Sequence, residues 1–232
     1  GNFLALTVNG DPCYDFGLGP CTGVPNQNHF DLETHSRNDN PQQFPWGDTV
    51  EGRVAGALYD LFDATNEGPF DSATFRFAPI WNIVRVAPHE TSFQEFWNSW
   101  RASGNNRHHA VRAIYQNTID YNTTPRFNPL LPDRTVLQNS TWNQAIDLWS
   151  HSEDAESADS ELTWQIVVVT DSRCDVSLSS SNRYVNIAPQ QGWLGSCDVT
   201  IRVSDSIRTA DDTFRVNVVP VRGRIYLPII LK

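Results

Sequence analysis

Two periodicities divide the chain. Up to about residue 121 the apolar residues recur at helical spacing, and from about residue 133 they alternate. The strongest helical stretch runs over 48–63. There Val50, Val54, Ala57, Leu58, Leu61 and Phe62 fall at i, i+4, i+7, i+8, i+11 and i+12, on one face. Asp48 stands where an N-cap is needed, with Glu51 three residues on as its capping-box partner. A short helix is expected over 79–86, ended by Pro88. Ser92 and Glu95 repeat the capping box before a helix that aligns Phe93, Phe96, Trp97 and Trp100. That stripe reads as core rather than as a sugar platform, and Gly104 stops the helix. A last helix over 107–118 buries Ala110, Val111 and Ile114, and leaves His108 and His109 at the surface. Upstream, Phe3, Leu4, Leu6 and Val8 end a helix at Gly10-Asp11-Pro12, and 13–46 reads as a long Gly/Pro/Asn-rich loop.

The later pattern is that of strands. Leu162, Trp164, Ile166 and Val168 point one way, and Thr163 and Gln165 the other. Val199, Ile201 and Val203 repeat the alternation, as do Phe214, Val216 and Val218, with turn residues between. Short strands in this number, without helix, predict a β-sandwich. Between the two halves lie Pro125, Pro129 and Pro132, which fix φ and remove donors, so 122–132 reads as an extended linker. The expected organisation is multi-domain, α plus β: a helical lobe over 1–121, the linker, an immunoglobulin-like sandwich over 133–221 and a tail over 222–232.

Composition narrows the function. Hydrophobic residues make up 39% of the chain, with eight Trp and twelve Phe, enough to build cores. The net charge of −10, with Lys232 the only lysine, argues against nucleic acid and anionic membranes as partners. No apolar run reaches the roughly 20 residues that span a bilayer. The cysteines form two local pairs, Cys13/Cys21 and Cys174/Cys197. They read as one disulfide per half in an oxidising compartment, or as four buried thiols; Cys174 and Cys197 flank the strand expected around 184–187, so a bridge between them would staple neighbouring strands. The chain has no methionine and is expected to be the later part of a longer polypeptide. It lacks His-Glu-x-x-His, Gly-x-Ser-x-Gly and Cys-x-x-Cys, so the chain alone is expected to be inactive.

The opening Gly1-Asn2-Phe3-Leu4-Ala5-Leu6 resembles the continuation of the Glu-Gly-Trp segment of secreted gluzincin (thermolysin- and fungalysin-like) zinc metallopeptidases. Glu51-Gly52-Arg53-Val54-Ala55-Gly56-Ala57-Leu58-Tyr59-Asp60-Leu61 is similar to the next helix of the fungalysin-like enzymes. The resemblance covers about 1–121. It implies the C-terminal subdomain of a peptidase that hydrolyses peptide bonds with zinc-activated water. Zinc would belong to the full-length protein, with its ligands in an N-terminal catalytic half absent here. Where that group carries an oxyanion-stabilising His, this chain has Asp48 and Glu51, while His29 and His35 lie in the preceding loop. Glu51, Asp48 and His35 are therefore the cleft candidates. Their plain readings are a capping residue, an N-cap and a solvated loop histidine.

The second half resembles the cadherin-like or immunoglobulin-like repeats of secreted bacterial proteins over about 128–220. The segments that carry this are the acidic stretch 147–164, Ile187-Ala188-Pro189-Gln190-Gln191-Gly192-Trp193 and the pair 199–205 and 213–218. Glu153, Asp154, Glu156, Asp159, Asp205 and Asp211 could supply oxygens to calcium, or form a solvated acidic loop. The tail adds a last strand or serves as a sorting signal. The resulting expectation is a secreted, extracellular metallopeptidase-like fragment whose sandwich binds a protein or cell-surface substrate. The alternative is a non-catalytic adhesion protein.

Overall fold

The computed structural model describes residues 7, 13–15, 29–31, 47–65, 68–86 and 91–221. The chain divides into two compact units, Gly1–Thr123 and Thr124–Lys232. His35, Cys21 and the tail from residue 222 lie outside the described residues, as does the side chain of Cys13.

In the first unit the segment expected as one long loop contains a short antiparallel ladder. Strand β1 (Cys13–Asp15) pairs with β2 (His29–Asp31), Tyr14 opposite Phe30. Four helices follow. Helix α1 (Glu51–Phe62) buries Ala55, Ala57, Tyr59 and Leu61. Its N-cap is Val50, with no side-chain cap, rather than Asp48. The turn before it closes through the Val50 amide to the Gly47 carbonyl (3.3 Å), and Gly47 has φ +103. The Asp48 carboxylate instead accepts from the Tyr121 hydroxyl. Helix α2 (Phe77–Val84) starts two residues before the expected point. Pro79 can sit inside its first turn because amides there have no intrahelical acceptor to lose.

Helix α3 (Phe93–Ala102) is capped as its sequence predicts: Ser92 Oγ accepts from the Glu95 amide at 3.2 Å. The Glu95 carboxylate reaches back in turn and accepts from the Thr91 amide (2.6 Å) and hydroxyl (2.9 Å). Its aromatic stripe is core. Phe93, Phe96, Trp97 and Trp100 are all buried, Trp97 stacks on Tyr121 and Phe75 meets Trp100 edge-on. Helix α4 (Arg107–Gln116) is capped by Asn106, whose side chain accepts from the His109 amide at 2.9 Å. It ends before residue 118 because Asn117, fully buried, turns its amide to the Asp60 carboxylate (2.7 Å) and Thr118 adopts φ 62.

The second unit is built from strands β3 (Arg126–Phe127), β4 (Arg134–Leu137), β5 (Trp142–Asp147), β6 (Ser152–Glu153), β7 (Thr163–Val169), β8 (Val176–Leu178), β9 (Tyr184–Ile187), β10 (Gly195–Ser204) and β11 (Thr209–Val219). One sheet runs β4-β11-β10-β7 and another β5-β9-β8, with β3-β6 as a separate pair. β4 joins β11 in parallel and the other pairs are antiparallel. Both larger sheets bury one face in a common core. It includes Ile146, Leu148, Val185 and Ile187 from one side and Trp164, Val199, Ile201, Val203, Phe214 and Val216 from the other. The outward face of β10 and β11 is a polar ladder. Asp198, Thr200 and Arg202 stand directly opposite Arg215, Thr213 and Asp211. Such cross-strand pairs fix register, since a one-residue slip would turn these groups into the core.

Two expectations change here. The proline-rich stretch is part of the β unit rather than a free linker. Phe127 and Leu131 are buried in its core, the Asn128 amide donates to the His151 carbonyl (2.8 Å), and the Leu131 amide to Asp212 (2.7 Å). Prolines here spare donors at an edge and do not prevent docking of the side chains between them. The Cys174–Cys197 disulfide does not staple neighbouring strands. It ties the turn before β8 to β10, which belongs to the other sheet, and both cysteines are buried.

Candidate functional site

The described cleft candidates, Asp48 and Glu51, sit in the turn before α1 and at its start. Glu51 is the first helical residue and its side chain is exposed. Asp48 is half-buried and bonded to Tyr121, which closes the aromatic layer over Phe93 and Trp97. Burial, and then the bond to the Asp48 carboxylate, push the Tyr121 phenol well above its usual range, so it stays a protonated donor. Asp48 therefore pins the C-terminal end of the helical unit to the entrance of α1.

Behind this entrance the unit hides polar groups that periodicity assigned no role. Arg53 and Asp60 on α1, Asp71, His108, Asn117 and Asn122 are all buried. Asn117 binds Asp60 and the Ala113 carbonyl, and Asp71 accepts from the Ala73 amide at 3.2 Å. Buried polar groups of this kind are costly unless bonded, and when bonded they specify one packing. The sequence reading placed both adjacent histidines at the surface. Instead His108 is buried, and half-buried His109 bonds Ser72 Oγ through Nδ1 at 2.9 Å. The available signal was spacing, because His108 lies three residues before Val111 on the stripe α4 buries. Arg112 donates to the same Ser72 oxygen (3.1 Å) and to the Pro69 carbonyl (3.2 Å). A nucleophilic serine needs its histidine oriented by an acidic or neutral acceptor. Here the third group is a guanidinium on the serine itself, so the cluster ties the 69–72 segment to α4.

In the β unit four of the six acidic candidates, Glu153, Asp154, Asp205 and Asp211, are bound into separate structural roles. Glu153 accepts from Asn128 (2.9 Å) and Arg126 (2.6 Å), and these bonds, the Asn128 bond first, hold its carboxyl below the usual range. Asp154 accepts from the Glu156 and Ser157 amides, which forms a turn. Glu156 is buried, and Asp159 opens the short 3-10 turn Asp159–Glu161. Asp205 is buried and accepts from the Ile207 and Arg208 amides (2.7 and 2.6 Å), closing the β10–β11 hairpin. Asp211 pairs with Arg202 on the outer ladder. Among the described residues no group of three or more His, Cys, Asp or Glu is arranged to hold a metal ion. No described helix is long and apolar enough to cross a membrane.

A further cluster in this unit centres on Arg183. Arg183 lies over the Trp149 ring (4.3 Å) and against Tyr184 (4.9 Å) and forms two bonds to Asp147, at 2.8 and 2.5 Å. The Arg183 bonds hold the Asp147 carboxyl below its usual range. No periodicity announces such a cluster, because its members come from two strand ends and two turns.

A family model described as the mycolysin C-terminal domain matches residues 1–118. No curated protein matches the chain. Among solved structures, an endo-fucoidan hydrolase of glycoside hydrolase family 107 is 18% identical, with a TM-score of 0.36, over 46% of this chain and 15% of its own. Human protocadherin-24 domains 1–2 are 18% identical at a TM-score of 0.32, over 42% of this chain and 45% of theirs. Drosophila N-cadherin domains 1–4 are 16% identical at 0.28, over 41% and 24%. Structural neighbours thus include cadherin domains, but scores this low support no inference about activity. The chain spans well under two thirds of each of these structures.

Proposed function

Because the chain belongs to the mycolysin C-terminal domain family, we propose that it is the C-terminal part of a secreted metallopeptidase. The observation that carries this reading is the coincidence of the matched segment, 1–118, with the helical unit Gly1–Thr123. The metal the reading implies is zinc, which needs three protein ligands and an open position to activate water. The described residues do not fit it, since no three donors converge. The ligands and general base therefore belong, on this reading, to polypeptide N-terminal to the matched domain, and no catalytic step is assigned to residues of this chain. What the helical unit supplies is rigidity. The Asp48–Tyr121 bond, the Asp60–Asn117 bond and the aromatic layer fix α1 and the loop before it, where Glu51 and Asp48 would border a cleft. The β unit would serve as an accessory domain that binds a protein or cell-surface substrate.

The test compares two products, this chain and the same chain extended by the coding sequence that precedes residue 1. The extended product should hydrolyse an unfolded protein and lose that activity to a zinc chelator, while this chain alone should not hydrolyse it. Chelator-sensitive hydrolysis by the chain alone, or none by the extended product, would refute the reading.

A further inference from the structure

The outward face of the β4-β11-β10-β7 sheet changes character along its length. Over most of β10 and β11 its rows are polar: Arg202, Thr200, Asp198 and Ser196 stand opposite Asp211, Thr213, Arg215 and Asn217. Where β11 leaves the sheet the row turns apolar on three adjacent strands. Leu137 on β4 pairs with Val219, and it faces away from the core because its neighbour Val136 is buried. Leu194 completes the row. Gly195 stands opposite Val218, a Cβ on Gly195 would meet the Trp193 ring, and Trp193 packs on the core. Leu194, between them, therefore points outward beside Val219. The turn after Leu137 is tied to the one before Leu194. The Gln138 side chain donates to the Gly192 carbonyl at 2.6 Å, and Asn139 Oδ1 accepts from the Gly192 amide at 2.7 Å. Leu137 is 49% exposed, Leu194 47% and Val221, two residues past Val219, 59%. The other exposed large apolar residues of the unit do not extend this row. Val168 lies opposite Thr200, the Trp142 ring lies under the Arg134 guanidinium, and Leu130 adjoins Leu131, whose amide bonds Asp212.

A concentrated apolar patch marks an interaction site rather than ordinary surface, and the residues next in the chain fit it. We propose that residues 222–232 fold back from Val221 and cover the Leu137–Val219–Leu194 row with their own apolar side chains. The segment is continuous with the patch, since Val221 belongs to both. Its sequence, Arg222-Gly223-Arg224-Ile225-Tyr226-Leu227-Pro228-Ile229-Ile230-Leu231-Lys232, is dominated by Ile and Leu and has no acidic residue. Residues 124–221 carry thirteen Asp and Glu against seven Arg, a net −6, so Arg222, Arg224 and Lys232 are drawn to this unit. The reach is sufficient. Leu137 and Leu194 each stand one strand spacing, about 4.8 Å, from Val219, and the four residues to Ile225 span up to about 13 Å. Gly223 can adopt the backbone conformation that such a reversal needs. Ile225 and Leu227 then fall on one side of an extended segment, facing the row.

Trypsin tests this on the whole chain, because it cuts after Arg222 and Arg224. Three forms are compared: the unaltered chain, one with Leu137→Asp and Leu194→Asp together, and one with Ile225→Asn and Leu227→Asn together. Mass spectrometry follows release of the segment, which should be at least tenfold faster in both double variants than in the unaltered chain. The second variant leaves residues 124–221 untouched, so it reports even where the first fails to fold. Equal rates in the unaltered chain and the second variant overturn the proposal. Faster release in the second variant but not in a folded first variant places the segment elsewhere and overturns it as well. The slow release from the unaltered chain should not depend on protein concentration. A rate that falls as concentration rises would show that a second copy covers the row, and slow release seen only when another protein is added would show a foreign partner; either result overturns the proposal.

Discussion

The helical unit and the β unit bury polar groups to different extents. Apart from buried Glu156 and Asp205, the β unit keeps its charged side chains toward solvent. Asp198–Arg215 and Arg202–Asp211 pair across its outer ladder, Asp147 and Arg183 pair at its rim, and its core is a single apolar cluster shared by two sheets. The helical unit buries a larger set of polar side chains, Arg53, Asp60, Asp71, His108, Asn117 and Asn122, and bonds such as that from Asn117 to Asp60 hold its helices together.

The comparison breaks first on the aromatic layer. Trp100 is fully buried and donates its indole N–H to the Asn106 carbonyl at 3.1 Å. Trp100→Ala should cost about 3–5 kcal/mol, melting the helices while the β unit's transition stays in place. Far-UV circular dichroism across a thermal ramp checks this, and coincident melting of both units would contradict their independence. Next comes the disulfide. Replacing Cys174 and Cys197 by alanine opens a loop of 23 residues' separation and should lower the stability of the β unit by about 3 kcal/mol. Denaturant titration of the β unit measures it, and no change would mean the shared core alone joins the two sheets.

Asp205→Ala removes a buried carboxylate that accepts two amides and should cost about 1–3 kcal/mol. The same residue is one of the calcium candidates, of which Asp154 is used in a turn and Glu153 and Asp211 in ion pairs. Millimolar calcium should therefore leave the melting temperature of the β unit unchanged. A clear upward shift would show that these loops rearrange around the ion.

Acid should act on the β unit more gently. Arg183, Arg173, Arg215 and Arg202 hold Asp147, Asp171, Asp198 and Asp211 below their usual range. A depressed carboxyl contributes stability that is complete above its unfolded value, near pH 4, and is lost as pH falls through the folded value. These pairs should leave melting flat from pH 7 to about 5 and lower it below about 4, an effect that exposure to solvent keeps small. A melting temperature that declines already between pH 7 and 5 would point to other groups.

Much of this architecture was legible beforehand, for reasons visible in single residues. The α3 stripe was readable because four aromatics at helical spacing leave one face to bury. The β10–β11 ladder was readable because apolar and polar residues alternate over ten positions. What escaped reading depends on distant partners. Asp48 looked like an N-cap because local sequence cannot reveal Tyr121, 73 residues away. Phe127 and Leu131 were hidden among prolines that mimic a linker. His108 was judged by its polarity rather than its place on the α4 stripe. For the candidate site, the sequence placed Glu51 and Asp48 at the head of α1 but could not reveal that Asp48 ties down Tyr121.

The most direct measurement is the zinc content, by native mass spectrometry, of the extended product and of this chain alone. The account predicts one bound zinc per extended polypeptide and none in this chain. A zinc-free extended product, or a zinc ion held by this chain alone, would contradict it.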